Sequence, residues 1–185
     1  APSLAKWRVW QTNEFCKQGV TDMEDASNQL YALTQAFDFS EANKDLFTRS
    51  MREMAEFHIK HSAIYQGICR QYDFTPAHIQ SYGDIIQIPH IFVTAFKEHK
   101  LVSLPESEIF KTFTSSGTQG QKSQINLDKL SFERQSNMRS LLMRSLGLTS
   151  AHPVNYLVFS YAPDISDDRG AAHTFNVYTS FAPAS

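Results

Sequence analysis

The stretch FKTFTSSGTQGQKSQI, residues 110–125, decides how the rest of the chain is read. Only seven glycines occur in 185 residues, yet Gly117 and Gly120 stand three apart within a run of hydroxyl and amide side chains. The run closes on Lys122 and Ser123. Glycine takes positive φ without strain and lets a backbone approach a ligand closely. The hydroxyls of Thr114, Ser115, Ser116 and Thr118 can donate to phosphate oxygens, and Lys122 supplies a point charge. Consecutive backbone amides in such a loop form an anion-binding nest. The stretch reads as a cradle for a nucleotide phosphate, although glycine-bearing loops also serve as plain hairpin connections.

Working outward, residues 108–114 alternate like a strand and residues 123–127 do so again. A loop this short cannot make a parallel crossover, so the two strands are expected to be antiparallel neighbours. Asp128 then caps a helix running through Leu141, Leu142 and Leu146, with Gly147 as its C-terminal glycine. Tyr156, Leu157, Val158 and Phe159 make a candidate buried strand, and residues 174–181 hold at most one more.

Upstream the texture is helical. Ser40 caps a long amphipathic run carrying Phe47, Met51, Met54, Phe57, His61, Ile64, Tyr65 and Ile68 at spacings of three and four. Thr75 and Pro76 read as a further cap with proline at the first helical position. Ile85, Ile86 and Ile88 form a short apolar run stopped by Pro89, and residues 91–97 suit a helical turn or two. The expectation is an α/β protein: a helical region over residues 1–82, then a partial α/β nucleotide-binding region over residues 83–185, in one continuous domain. So few strands make a thin sheet, and the chain is expected to stop before its fold does.

Composition sets the outer limits. With 42% hydrophobic and 19% charged residues and a net charge of −2, the chain is globular and offers no basic field to a nucleic acid. No apolar run approaches a membrane span, and residues 1–10 lack the pattern of a signal peptide, which favours the cytoplasm. Cys16 and Cys69 make neither a disulfide framework nor a zinc site and read as packing residues.

The remaining candidates are weaker. His58 and His61 share a helix face but lack a third ligand, so they read as a packed or surface pair, and no metal site is assigned. Glu53 and Glu56 read as a solvated face with partners such as Lys60. Trp7, Trp10 and Phe15 suit a hydrophobic anchor, and His152, Asp164, Asp167 and Asp168 suit loop polarity. Ser115 and Ser116 have no sequence neighbour to act as a base, so a serine hydrolase has little support.

Two familiar phosphate motifs fail. A Walker loop needs glycine where Gln121 and Ser116 stand, and the dinucleotide fingerprint needs a third glycine where Ser123 stands. The stretch instead resembles the phosphate loop of adenylate-forming enzymes, Thr-Ser-Gly-Thr-Thr-Gly followed by Pro-Lys. Ser116, Gly117, Thr118 and Gly120 match, while Lys122 and Ser123 replace the Pro-Lys pair. That departure resembles the LuxE-type acyl-protein synthetase family, whose loop looks like Phe-Thr-Ser-Ser-Gly-Thr-x-Gly-x-Lys-Ser; residues 113–123 carry every fixed position. Residues 88–97, from Ile-Pro to Phe-Lys, are similar to the same family upstream.

The resemblance implies the beginning of an adenylate-forming-enzyme-like mixed sheet and ATP-dependent activation of a carboxylic acid, of fatty type, as an acyl-adenylate. Transfer to a protein thiol would follow. ATP and Mg2+ are the implied cofactors, and an acyl-accepting thiol or a reductase the implied further partners. Thr114, Ser115, Ser116, Gly117, Thr118, Gly120 and Ser123 would hold phosphate, with Lys122 assisting the chemistry electrostatically. The chain would be an N-terminal part of such an enzyme, inactive alone. Two alternatives stay open: an acyl-CoA ligase resembling phenylacetate-CoA ligase, and a non-catalytic fragment that binds a nucleotide or a partner.

Overall fold

A computed structural model describes residues 25–115, 122–159, 173–174 and 177–183. The helical part comprises α1 (Asp25–Tyr31), α2 (Glu41–His61) and α3 (Ala63–Gln71), followed by short 3-10 turns at Pro76–His78 and Tyr82–Gln87. The single-turn α4 (Ala95–Glu98) and a 3-10 turn at Glu106–Glu108 lead into β1 (Lys111–Thr114) and β2 (Gln124–Leu127). The helix α5 (Lys129–Ser145) follows β2 directly.

Ser40 caps α2 as its sequence position predicts, accepting from the Asn43 amide at 3.4 Å. The long apolar run does not continue as one helix, however. Ser62 takes an extended conformation (φ −123°, ψ 106°), its N–H closes the last turn of α2, and its hydroxyl accepts from the Tyr65 amide at 3.3 Å. One serine thus ends α2 and starts α3, because its short side chain competes for backbone donors. The bend lets α3 fold back and join α2 in one core.

That core contains Ala55, Tyr65, Cys69, Phe74 and Ile79, with Ile59, Ile85, Ile88 and Ile91 packed against it. Ile79 is 0% exposed, and its carbonyl accepts from Arg52 Nε at 2.9 Å. The Tyr65 hydroxyl donates to the Pro89 carbonyl at 3.3 Å, and burial pushes its pKa up to about 12. Cys69 is 2% exposed, in keeping with its reading as a packing residue.

Three expectations need correcting. Glu53 is not solvated: its carboxylate accepts from the Ala26 and Ser27 amides at 3.1 and 2.9 Å and from Ser27 Oγ at 3.0 Å, capping the first turn of α1. A carboxylate at a helix N-terminus satisfies orphan amides and complements the helix dipole. The run from Tyr156 to Phe159 is not a buried strand; Leu157 and Phe159 are 82% and 84% exposed. An apolar run becomes a strand only beside a sheet edge, and the described sheet has two strands, β1 and β2. Residues 173–174 and 177–178 are helical, so the expected last strand is absent there as well. Trp7, Trp10, Phe15, Cys16, Asp164, Asp167 and Asp168 lie outside the described residues. Among the described residues no helix is long and apolar enough to cross a membrane.

His58 pins the helical core to the chain beyond it. Its Nδ1 lies 2.8 Å from Ser103 Oγ and its ring meets Tyr65 edge-on. Burial, assisted by neighbouring His61, holds its pKa below the ordinary 6.5. The folded state therefore favours the neutral ring, and the unfolded chain takes up the proton first as pH falls. This contribution to stability is full above about pH 6.5 and is lost as pH drops through the depressed folded value. Urea midpoints are expected to fall between pH 7.5 and pH 5.5, and to fall less in His58→Gln; an equal drop in both proteins would contradict the assignment.

Candidate functional site

The loop sits on an antiparallel hairpin in which Lys111 pairs with Leu127, Thr112 with Asn126, Phe113 with Ile125 and Thr114 with Gln124. The ladder extends past both ends. The Phe110 amide donates to the Leu127 carbonyl at 2.8 Å, and the Ser115 amide donates to the Ser123 carbonyl at 3.1 Å. Ser115 Oγ then accepts from the Ser123 amide at 3.0 Å. Two hydrogen bonds between the same two serines close a neck at the end of the hairpin that leads into the glycine-bearing stretch.

Alternation along the strands gives the hairpin two unlike faces. Thr112, Thr114, Gln124 and Asn126 share one, where Thr112 Oγ1 donates to Asn126 Oδ1 at 2.7 Å. Phe113, Ile125 and Leu127 share the other, which packs on α5 through Phe132. The Phe132 ring lies 5.4 Å from Phe110 and 6.4 Å from Phe113 between centroids. His173 completes the cluster at 5.1 Å from Phe113 and 5.5 Å from Phe132.

The start and stop signals of α5 behave as read. The Asp128 carboxylate accepts from the Ser131 amide at the N-terminus. At the other end Gly147 adopts φ +68°, with Leu148 donating to the Met143 carbonyl and Gly147 to that of Arg144. This paired arrangement requires a left-handed residue, and glycine takes it without a Cβ clash.

Of the residues expected to form the site, Thr114 ends β1, Ser115 and Ser123 form the neck with Ser123 buried, and Lys122 is exposed beside them. Ser116, Gly117, Thr118 and Gly120 lie outside the described residues. Sequence reasoning missed two supports. Arg134, 7% exposed, donates to Asn28 Oδ1 and lies 4.9 Å from the centroid of the Tyr31 ring, tying α5 to α1. Burial lowers its pKa, a shift offset in part by Tyr31 and Asp128. Its helical position behind the aromatic Phe132 gave no signal of burial, because charged side chains are rarely inside. His173 is the other, separated from the loop by about fifty residues of sequence.

Comparison with known proteins accords with this geometry. The model of the acyl-protein synthetase family LuxE matches residues 17–179. The chain belongs to that family. Within it, a curated relative is the long-chain-fatty-acid–luciferin-component ligase of Aliivibrio fischeri, 31% identical over 108 residues, covering 58% of this chain and 28% of the ligase. Among solved structures, 2-hydroxyisobutyryl-CoA ligase in complex with 2-HIB-AMP and CoA aligns with a TM-score of 0.63 at 18% identity, over 82% of this chain and 33% of the ligase. The same ligase in its postadenylation state aligns at 0.61 and 16% identity, over 82% and 32%. The LuxE-family chain therefore shares the fold of the part of 2-hydroxyisobutyryl-CoA ligase that it aligns with, and it spans at most about a third of the length of these relatives.

The neck generates a stability prediction. Ser115→Ala removes the acceptor of the buried Ser123 amide while leaving the Ser115 N–H bond in place. The expected loss is about 1 kcal/mol in urea unfolding, with Ser115→Thr close to the parent chain. No loss in Ser115→Ala would mean that the side-chain half of the neck holds nothing.

Proposed function

We propose that this chain supplies the phosphate-gripping part of an enzyme that activates a carboxylic acid with ATP. The single observation that carries this reading is the hydrogen-bonded Ser115–Ser123 neck, which presents the Ser-Ser-Gly-Thr-x-Gly-x-Lys-Ser loop of a LuxE-family protein at one end of a packed hairpin. In the reaction a carboxylate oxygen attacks the α-phosphorus, the bond to the β-phosphate bridging oxygen breaks, and pyrophosphate leaves from an acyl-adenylate. Backbone amides of the loop, with the hydroxyls of Thr114, Ser115, Ser116, Thr118 and Ser123, hold the β- and γ-phosphates in place. Donors fixed before the reaction stabilise charge as it develops on the leaving group, without reorganising at that moment. Gly117 and Gly120 allow the backbone its close approach, and Lys122 adds a mobile charge from the exposed side. Mg2+ arrives with ATP as part of the substrate; no described side chain is assigned to it.

The acid is of long-chain fatty type, a reading supported by the name of the Aliivibrio relative. A thiolate then attacks the acyl carbonyl, the bond from that carbon to the phosphate oxygen breaks, and AMP leaves as the thioester forms. Cys69 is not that thiol, because it is buried in the core and burial raises its pKa, which disfavours the thiolate. A protein cysteine is the first reading for the acceptor, in line with the family's description. Coenzyme A is the second, favoured by the structural neighbours, which are CoA ligases. We assign residues 1–82 to a helical region and residues 83–185 to the nucleotide-binding region of one continuous domain, working in the cytoplasm where ATP is supplied. On this reading the 185 residues alone do not turn over.

The test uses an active ligase polypeptide carrying this sequence. Gly117→Val is expected to abolish adenylation, since a β-branched side chain blocks close approach and disfavours positive φ. Lys122→Ala is expected to lower kcat/KM by about ten- to a hundredfold with ATP varied, about 1.4 to 2.7 kcal/mol, and far less with the acid varied. A folded Gly117→Val enzyme with normal ATP kinetics would reduce the loop to a plain turn.

A further inference from the structure

We propose that His173 is a positioning residue for the Ser115–Ser123 neck, acting through Phe113; the inference deepens the reading of the phosphate loop given above and rests on it for its ligand. Phe113 is two residues before Ser115, about 6.6 Å along the strand and on the same face. Whatever fixes the Phe113 ring therefore fixes the strand just where it turns into the neck. Two rings do so. Phe132 stacks on Phe113 at 24°, and His173 lies against it at 5.1 Å and 36°, while His173 and Phe132 also touch each other at 5.5 Å. The three rings form a closed triangle at the loop end of the hairpin.

The ends of the hairpin are supported unequally. The end remote from the loop is held by Phe110 against Phe132 and by the covalent turn from β2 into α5. At the loop end, Phe132 reaches Phe113 at the longer distance of 6.4 Å, and His173 supplies the closer contact. His173 comes from a segment about fifty residues further along the chain, so its contact joins that later part to the neck. Lys111 also approaches the Phe113 ring, its Nζ lying 6.0 Å from the centroid. A flat ring at position 173 is what the triangle requires; a smaller side chain leaves Phe113 free to tilt and the neck free to open. The neck can open locally while the core stays closed, because local openings and global unfolding have separate free energies.

The test is amide hydrogen exchange by NMR on the 185-residue chain and its variants. In His173→Ala the Ser115 and Ser123 amides are expected to exchange about tenfold faster, with Phe110 and the core amide of Ile79 changed by less than about twofold. His173→Phe, which keeps a ring, should restore protection at the neck. Unchanged exchange at Ser115 and Ser123 in His173→Ala overturns the proposal. So does an equal increase at all four amides, which would mark a merely structural residue, and so does failure of His173→Phe to rescue. If His173→Ala does not fold, the parent chain still decides: the ring protons of His173 must be shifted upfield by Phe113 and Phe132, and ordinary shifts would overturn the contact. Titration with inorganic tripolyphosphate separates this inference from the reading it rests on. Weaker binding in His173→Ala, rescued in His173→Phe, supports both. Changed exchange with no binding in any form keeps His173 as the neck's support and removes phosphate as its purpose.

Discussion

Four residue pairs between β1 and β2 cannot hold a loop in place by themselves, because an isolated two-stranded hairpin is at best marginally stable in water. The packing of Phe113 and Phe110 on Phe132 is therefore the constraint on which the site depends. It seats one face of the hairpin on α5 at Phe113, while Ile125 stays 52% exposed, and leaves Thr112, Thr114, Gln124 and Asn126 on the other. It also explains the directness of the connection. Asp128 follows β2 at once and caps α5, so the helix is launched at an angle fixed by its own first turn. Any rotation of α5 would carry the loop with it.

What fixes α5 in turn is a short helix gripped at both ends. Glu53 of α2 caps the first turn of α1, while Arg134 of α5 reaches Asn28 and Tyr31 further along the same helix. Both contacts put a charged group against specific partners, and Arg134 does so when almost fully buried. Removing one partner from such a contact leaves a charge without compensation, which makes the arrangement intolerant of small slips. Through α1, the position of the loop-bearing hairpin is referred back to α2 and so to the core around Ile79. The seven residues of α1 are too few to be a stable helix alone, and these contacts give it its place.

The division between what sequence and structure each decide follows from the range of the interactions. Local chemistry was legible: Ser40 and Asp128 as caps, Gly147 as a left-handed C-terminal residue, the alternation of β1 and β2, and their antiparallel pairing. Each is set by a side chain and backbone groups a few residues apart, or by the reach of a short loop. The family resemblance of residues 113–123 was equally legible, since it lies in consecutive residue types, and the LuxE family match bears it out. The tertiary structure alone decided the rest. It turned Glu53 from a solvated residue into a cap, placed Arg134 inside, broke the long helix at Ser62 and, among the described residues, left the run from Tyr156 to Phe159 without a sheet neighbour. It also brought His173 to Phe113. Each of these outcomes depends on a partner distant in sequence, and an apolar or charged side chain carries no mark of which distant surface will receive it.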